Sequence, residues 1–442
     1  MSRTPILDFA RAYAASGTAR LHMPGHKGRQ VIGPEALDIT EIRGADALYE
    51  AEGIIRESGR SLSALFASGT TLLGAEGSSQ CVKAMVHLAV TAGRGQVILA
   101  ARNAHKSFLY ACALTDASVE WLYPEASSSS VCACPVTPER LARALDGMET
   151  LPCAVYLTSP DYLGGMQDVA GAAKVCRARG VPLLIDNAHG AYLRFLTPSQ
   201  HPMDLGADMC CDSAHKTLPA LTGGALLHLR DPSPEAEDRA RAAMAVYGST
   251  SPSYLILESL DALNALGAEA YRQYVAEASA MAEEAREQLR ENGWEVLKSD
   301  PMRIVVRASA EHDGLYLAQA LRRAGAECEY ADRDHLCCMI TWKNTREEVL
   351  LIPKALGRAG KAAPGRKMPV FRGEKAVSIR RALFARDELL PVQDAVGRIC
   401  ASPTVSCPPA VPVVCAGERI TREAAELLMY AGVGTVRVMR EQ

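Results

Sequence analysis

The chain has 442 residues, is 48% hydrophobic and 22% charged, and carries a formal net charge of −3. Such a length admits two or three domains with a substantial core, and such a charge gives neither the basic field that binds nucleic acid nor the polybasic patch that binds a membrane surface. No uninterrupted apolar run approaches the ~18 residues of a membrane span, and the opening residues carry no long apolar segment, so the sequence reads as cytoplasmic. Fourteen cysteines are present. Cys210-Cys211 and Cys337-Cys338 are adjacent, Cys132 and Cys134 flank one residue, and no paired Cys-x-x-Cys occurs. That spacing suits neither zinc nor a disulfide framework; it predicts reduced thiols packed as small hydrophobes, and no metal site.

In chain order, residues 7–13 predict a helix. His22-Met23-Pro24-Gly25-His26-Lys27-Gly28 follows, where the Pro-Gly pair breaks regular structure and leaves two histidines and a lysine on a loop. Residues 61–66 read as helical and 70–75 as a strand. Gly77-Ser78-Ser79 then opens an amphipathic helix over residues 80–91, stopped by Gly93. A small-residue turn at a helix start offers N–H groups, hydroxyls and the positive dipole end to a phosphate, and serine there also serves as a helix cap. Residues 96–100 predict a short buried strand. His105 lies past its carboxyl end, where ligands of open parallel sheets bind, and either stacks on an aromatic ring or starts a helix with its ring satisfied by backbone. The serine run at 127–130 reads as a loop tip.

Residues 154–160 predict a strand ending in a turn, and the next helix runs to residue 179, capped by Gly180. The apolar run 181–185 leads straight into Asp186, which sets that carboxylate at the rim of a parallel sheet. After a largely apolar segment at 203–211 comes Asp212-Ser213-Ala214-His215-Lys216-Thr217-Leu218, and then a glycine-led strand over 222–229. A lysine on a short connection between two buried strands, with Ser213 and His215 beside it, suits a Schiff base to pyridoxal 5'-phosphate (PLP). Burial and neighbouring cations lower an amine's pKa toward the range in which it attacks a carbonyl. Asp186 then partners the cofactor's ring nitrogen and keeps it protonated, so that the ring accepts electrons; by itself a strand-end aspartate is also a common helix cap.

Residues 236–291 read as mostly helical. Segments at 302–307, a helix to 325, 328–330 and 336–341 predict a small α/β region. A Gly/Lys/Pro-rich stretch at 360–367 precedes a proline-rich segment, 406–420, that reads as an extended edge or covering strand. The expected organisation is an N-terminal arm and active-site loop (1–58), a large PLP-binding domain with trailing helices (59–294) and a small C-terminal α/β region (295–442).

Together these motifs resemble the PLP-dependent Orn/Lys/Arg decarboxylase family in its short form, which has the fold-type-I aspartate-aminotransferase architecture. The resemblance is carried by residues 22–28, 77–79, 105–107, 186–191, 213–218, Leu221-Thr222 and the tail from Cys407-Pro408-Pro409 to Gly417-Glu418. It implies an α/β fold with a large mostly parallel-sheet domain and a smaller C-terminal α/β region, assembled as a homodimer or dimer-based oligomer with active sites at the interface. It implies that Lys216 is the Schiff-base lysine, Asp186 the acid at the ring nitrogen and His105 the ring-stacking histidine. Ala188 would pack the opposite ring face, and Ser78, Ser79, Ser213 and His215 would hold the phosphate, with the loop at 22–27 near the site mouth. The implied reaction takes a small amino-acid substrate, lysine, arginine or ornithine, to its amine and CO2, with His215 or Lys216 returning a proton to Cα. Some positions depart from the family pattern. Asn187 and Tyr192 stand within the usual Asp-Glu-Ala-His-Gly-Ala-His, Gly223 replaces a Gln, and Ala410 replaces a Gly. The same lysine and acid would also serve an aminotransferase or another lyase; a silent PLP-binding regulatory subunit is the rival from another class, and retention of Lys216, Asp186 and His105 argues against it.

Overall fold

The computed structural model describes residues 3–124, 130–360, 372–403 and 409–440. Its largest sheet has seven strands: β1 (Thr70–Gly74), β2 (Val97–Ala101), β3 (Ser118–Leu122), β4 (Ala154–Thr158), β5 (Leu183–Asp186), β6 (Met209–Asp212) and β7 (Ala225–Leu229). They lie in the order β1-β7-β6-β5-β4-β2-β3. The sheet is mostly parallel: β2 with β3 and β5 with β6 run parallel, and β7 runs antiparallel to β6 and β1. Continuous apolar sequence is what strands covered on both faces require. Leu183, Leu184 and Ile185 of β5 and Val155, Tyr156 and Leu157 of β4 are accordingly buried.

The described helices in chain order are α1 (Pro5–Ala15), α2 (Ile54–Phe66), α3 (Ser78–Thr91), α4 (Lys106–Thr115), α5 (Pro138–Asp146), α6 (Val169–Ala178), α7 (Ala214–Thr217), α8 (Pro234–Val246), α9 (Tyr254–Asp261), α10 (Gly267–Glu291), α11 (Gly314–Arg323), α12 (Arg346–Leu356), α13 (Ile379–Leu383) and α14 (Arg422–Tyr430). By contact density the chain divides into two compact units, residues 1–95, 151–156 and 169–272, and residues 96–150, 157–168 and 273–442.

In the first unit α2 packs on β1, and α3 packs on β6, β7 and α8. Helix α2 begins at Ile54, earlier than the apolar pattern at 61–66 indicates, because its first turns are polar and only Ile55, Ser58 and Gly59 face inward. Helix α1 is anchored through its first turn: the Asp261 carboxylate at the end of α9 accepts the N–H groups of Ile6 (2.9 Å) and Leu7 (3.0 Å). The helical stretch expected at 236–291 is broken into α8, α9 and α10, with Gly248 and Pro252 in the first interruption and Gly267 (φ +75°) at the second.

In the second unit, antiparallel strands β8 (Arg303–Arg307), β9 (Tyr330–Ala331) and β10 (His335–Met339) take the order β8-β10-β9. They share a core with α10, α11 and α12 built on Leu289, Trp294, Ile304, Leu321, Leu336 and Ile352. Further along, Asp387–Pro391 pairs antiparallel with Thr435–Met439. Of the proline-rich segment expected to be extended, residues 406–408 lie outside the described residues, and among its described residues only Glu418–Arg419 forms a strand. Proline has no N–H to give a ladder. The carbonyls of Pro412 and Val413 are taken instead by the buried Arg102 guanidinium, which also meets Glu418 at 3.2 Å.

Thirteen described cysteines are free; twelve are buried and Cys328 is half-buried. No described helix is long and apolar enough to cross a membrane.

Candidate active site

Asp186 closes β5, and its side chain is only 3% exposed. The Tyr156 hydroxyl donates to one carboxylate oxygen at 2.9 Å, and the Ala188 N–H donates to the other at 3.2 Å. The neighbouring strand β6 ends at Asp212. Ser213 and the one-turn helix α7 follow, carrying His215 and Lys216. Lys216 is half-buried, and its Nζ lies 2.7 Å from Nε2 of His189, three residues beyond Asp186. The two strand ends thus bring the amine to the segment that bears the carboxylate.

The start of α3 faces the same connection. Gly77, at φ +69°, turns the chain into the helix and donates its N–H to the carbonyl of Gly223 at 2.8 Å. Ser78 and Ser79 occupy the first turn, whose N–H groups have no partner within a helix. The Ser213 hydroxyl donates to Ser78 Oγ at 2.8 Å. Two hydroxyls thus stand at the positive end of a 14-residue helix, where negative charge is favoured. His215 Nδ1 lies 2.8 Å from the Gly224 carbonyl and therefore carries a proton, while burial pushes the ring below its ordinary pKa. A neutral His215 leaves Nε2 as an acceptor.

His105 lies in the second unit, where it is the N-cap of α4. Its Nδ1 accepts from the Ser107 N–H at 3.1 Å and lies 2.8 Å from Ser107 Oγ. This is the helix-start arrangement weighed from sequence. In the loop at 22–27, His22 Nε2 lies 2.6 Å from the Tyr13 hydroxyl, and His26 pairs with Asp38 at 3.1 Å. The sequence reading gave no role to His189, although it stands three residues after Asp186 in the same motif. Nor did it use Asp212, His201 and His228, whose association needs three separate segments to fold together.

Comparison with known proteins decides the family. The family described as "Orn/Lys/Arg decarboxylase, major domain" matches residues 4–312, and "Orn/Lys/Arg decarboxylase, C-terminal domain" matches residues 366–435. The chain belongs to the Orn/Lys/Arg decarboxylase family. It is a decarboxylase by that membership. An arginine decarboxylase of Halalkalibacterium halodurans is 29% identical over 454 residues, covering 95% of this chain and 91% of that protein. An arginine decarboxylase of Bacillus subtilis is 27% identical over 453 residues, covering 95% and 92%. The solved lysine decarboxylase of Francisella novicida superposes with a TM-score of 0.81 at 17% identity, over 99% of this chain and 81% of that one. The constitutive lysine decarboxylase of E. coli gives 0.78 at 16% identity, over 99% and 82%. The fold-type-I α/β architecture expected from sequence is the one observed.

Two departures from the family pattern have local explanations. Gly223 sits at φ +98°, and a Cβ there would lie 3.1 Å from the Ala75 carbonyl oxygen, so this backbone favours glycine over Gln. Ala410, where the family has Gly, adopts φ +56°, and its methyl is buried. The backbone strain of about 1–2 kcal/mol is offset in part by that burial.

Proposed function

We propose that this decarboxylase acts on a basic amino acid, lysine, arginine or ornithine, with PLP held by the groups around Lys216. One observation carries the reading: the Lys216 amine meets the segment that bears the buried Asp186 carboxylate, beside a paired-serine anion seat. Amine, carboxylate and anion seat are the donor set that an aldehyde with a pyridine ring and a phosphate requires. Lys216 would hold the aldehyde carbon and Asp186 the ring nitrogen. Ser78, Ser79 and Ser213 would hold the phosphate and Ala188 would pack one ring face, while His215, whose N–H is taken by the Gly224 carbonyl, has none left to donate to the phosphate. When bound, PLP supplies the electron sink for the bond to the departing carboxylate.

The protein's own work is orientation and proton delivery. A site that aligns the Cα–carboxylate bond with the ring's π system selects decarboxylation over transamination. Of the two candidate donors to Cα, Lys216 Nζ is favoured, because His215 keeps its Nδ1 proton on Gly224 and burial disfavours a second one. The proposal extends to a cytoplasmic homodimer or dimer-based oligomer, to the loop at 22–27 near the site mouth, and to the division at residues 58 and 294.

A screen of lysine, arginine and ornithine with purified, PLP-loaded protein tests the reading. CO2 and the matching amine from one of them are expected. A keto acid formed only when an acceptor is supplied would replace this reading with an aminotransferase, and no turnover of any basic amino acid would refute it.

A further inference from the structure

We propose that Asp212, clamped by His201 and His228, is a positioning residue for the ring end of the active site and acts through Asn187. The inference rests on the functional reading above. Asp212 ends β6 with its side chain wholly buried, and three donors converge on it. Asn187 Nδ2 reaches Oδ1 at 2.6 Å, while His201 Nε2 and His228 Nε2 reach Oδ2 at 3.1 and 3.2 Å. The far side of each imidazole is also occupied. His201 Nδ1 accepts the Met203 N–H at 3.4 Å, and His228 Nδ1 lies 2.8 Å from the Thr71 hydroxyl. A ring nitrogen that accepts from a backbone N–H has no proton of its own, so a neutral His201 carries its proton on Nε2, facing Asp212. Burial pushes His228 below its ordinary pKa, which favours the same neutral form. Burial alone would raise the Asp212 pKa, yet the two imidazoles hold it well below the usual carboxylate range.

A metal ion is the competing occupant, since ligand atoms of His201, Cys210 and Asp212 lie within 4.8 Å of one another. A metal needs bare imidazole nitrogens and a thiolate. Here Nε2 of His201 and of His228 already meets Asp212, and Nδ1 of His201 accepts the Met203 N–H, so both nitrogens of the histidine in that cluster are engaged within the protein. Hydrogen bonds account for the cluster.

The link to the site is Asn187. It stands between Asp186 and Ala188, the residues assigned to the ring nitrogen and a ring face. Its N–H donates to the Cys211 carbonyl at 3.0 Å, and its side chain donates to Asp212, so both ends of the residue are tied to β6. The family's usual Glu at this position has no donor when ionised and would repel Asp212. The amide at 187 and the carboxylate at 212 therefore belong together.

The test uses the full-length protein, with Asp212→Asn, Asn187→Asp and the double exchange N187D/D212N. Asp212→Asn leaves a donor facing donors. It should lower kcat roughly 10- to 100-fold while KM moves less than about threefold. It should also shift the visible absorbance of the PLP-loaded protein and raise its PLP dissociation constant. The double exchange restores an amide–carboxylate pair and should return about tenfold in kcat over Asp212→Asn, together with the original absorbance. Should Asp212→Asn not fold, His228→Gln, which keeps a donor for Asp212, should stay within about threefold of the parent kcat while His228→Leu loses about tenfold. The proposal is overturned if Asp212→Asn only lowers Tm, if the exchange is no better than the single variant, or if the Gln and Leu variants are equally active. One equivalent of transition metal in the parent protein, lost in Asp212→Asn, would also overturn it. A parent that binds PLP yet releases no CO2 refutes the reading above, leaving absorbance and dissociation constant to decide this one.

Discussion

Nζ of Lys216 lies 2.7 Å from Nε2 of His189. An ordinary lysine is protonated at neutral pH and cannot attack a carbonyl, whereas an imidazole accepts a proton near pH 6.5. His189→Ala should therefore slow PLP uptake by the cofactor-free protein roughly 10- to 100-fold, followed as growth of visible absorbance after mixing. Lys216→Ala should abolish that absorbance. Uptake by His189→Ala at the parental rate would remove the pair from the chemistry, and an undiminished signal in Lys216→Ala would mean that a different lysine holds the cofactor.

Asp186 is buried and supported by Tyr156. Asp186→Ala should keep part of the bound PLP and lose about 100-fold or more in kcat, because the ring nitrogen loses its carboxylate. Tyr156→Phe removes one hydroxyl donor and should cost no more than about tenfold. Near-normal turnover by Asp186→Ala rejects its assigned role.

Ser78 and Ser213 share a hydrogen bond of 2.8 Å at the helix start. Alanine at either position should weaken PLP binding by roughly 5- to 30-fold in an equilibrium titration. Because the hydroxyls touch, the double variant should depart from the product of the singles. Strictly multiplicative losses would mean that the two do not share one anion.

Glu258 is buried on α9, with burial and then the nearby Asp38 and Asp261 carboxylates pushing its pKa up to about 8 from 4.5. The folded state holds this proton more tightly than the unfolded chain does. The stabilisation is fully present below about pH 4.5 and is lost as pH rises toward about 8. Glu258→Gln, which needs no proton, should raise Tm by about 2 °C or more at pH 8 and lose that advantage near pH 4.5. A gain independent of pH would show that Glu258 does not titrate in this window.

The parts legible in the sequence are those in which neighbouring residues make the signal. The run from Leu183 to Asp186 announces a doubly covered strand with an acid at its rim, and Ser213 to Lys216 follows the next strand by a single short step. His105 is less legible, since a histidine past a strand end suits a ring stack and a helix cap alike, and only the folded chain sets its nitrogen on the Ser107 N–H. Asp212 was invisible as a functional group. His201, His228 and Asn187 come from three segments whose meeting is fixed by strand order, not by spacing along the chain. The breaks between α8, α9 and α10 were masked by helix-forming composition on either side of Gly248 and Gly267.

The packing of the thiols decides how the protein can be handled. Twelve of the described cysteines are buried, and burial raises the pKa of Cys153, Cys176, Cys210, Cys338 and their like, so few of the described thiols are available as thiolates to alkylating reagents or peroxide at neutral pH. Half-buried Cys328 is the described thiol most open to reagents, which makes it the natural attachment point for a dye or spin label on native enzyme.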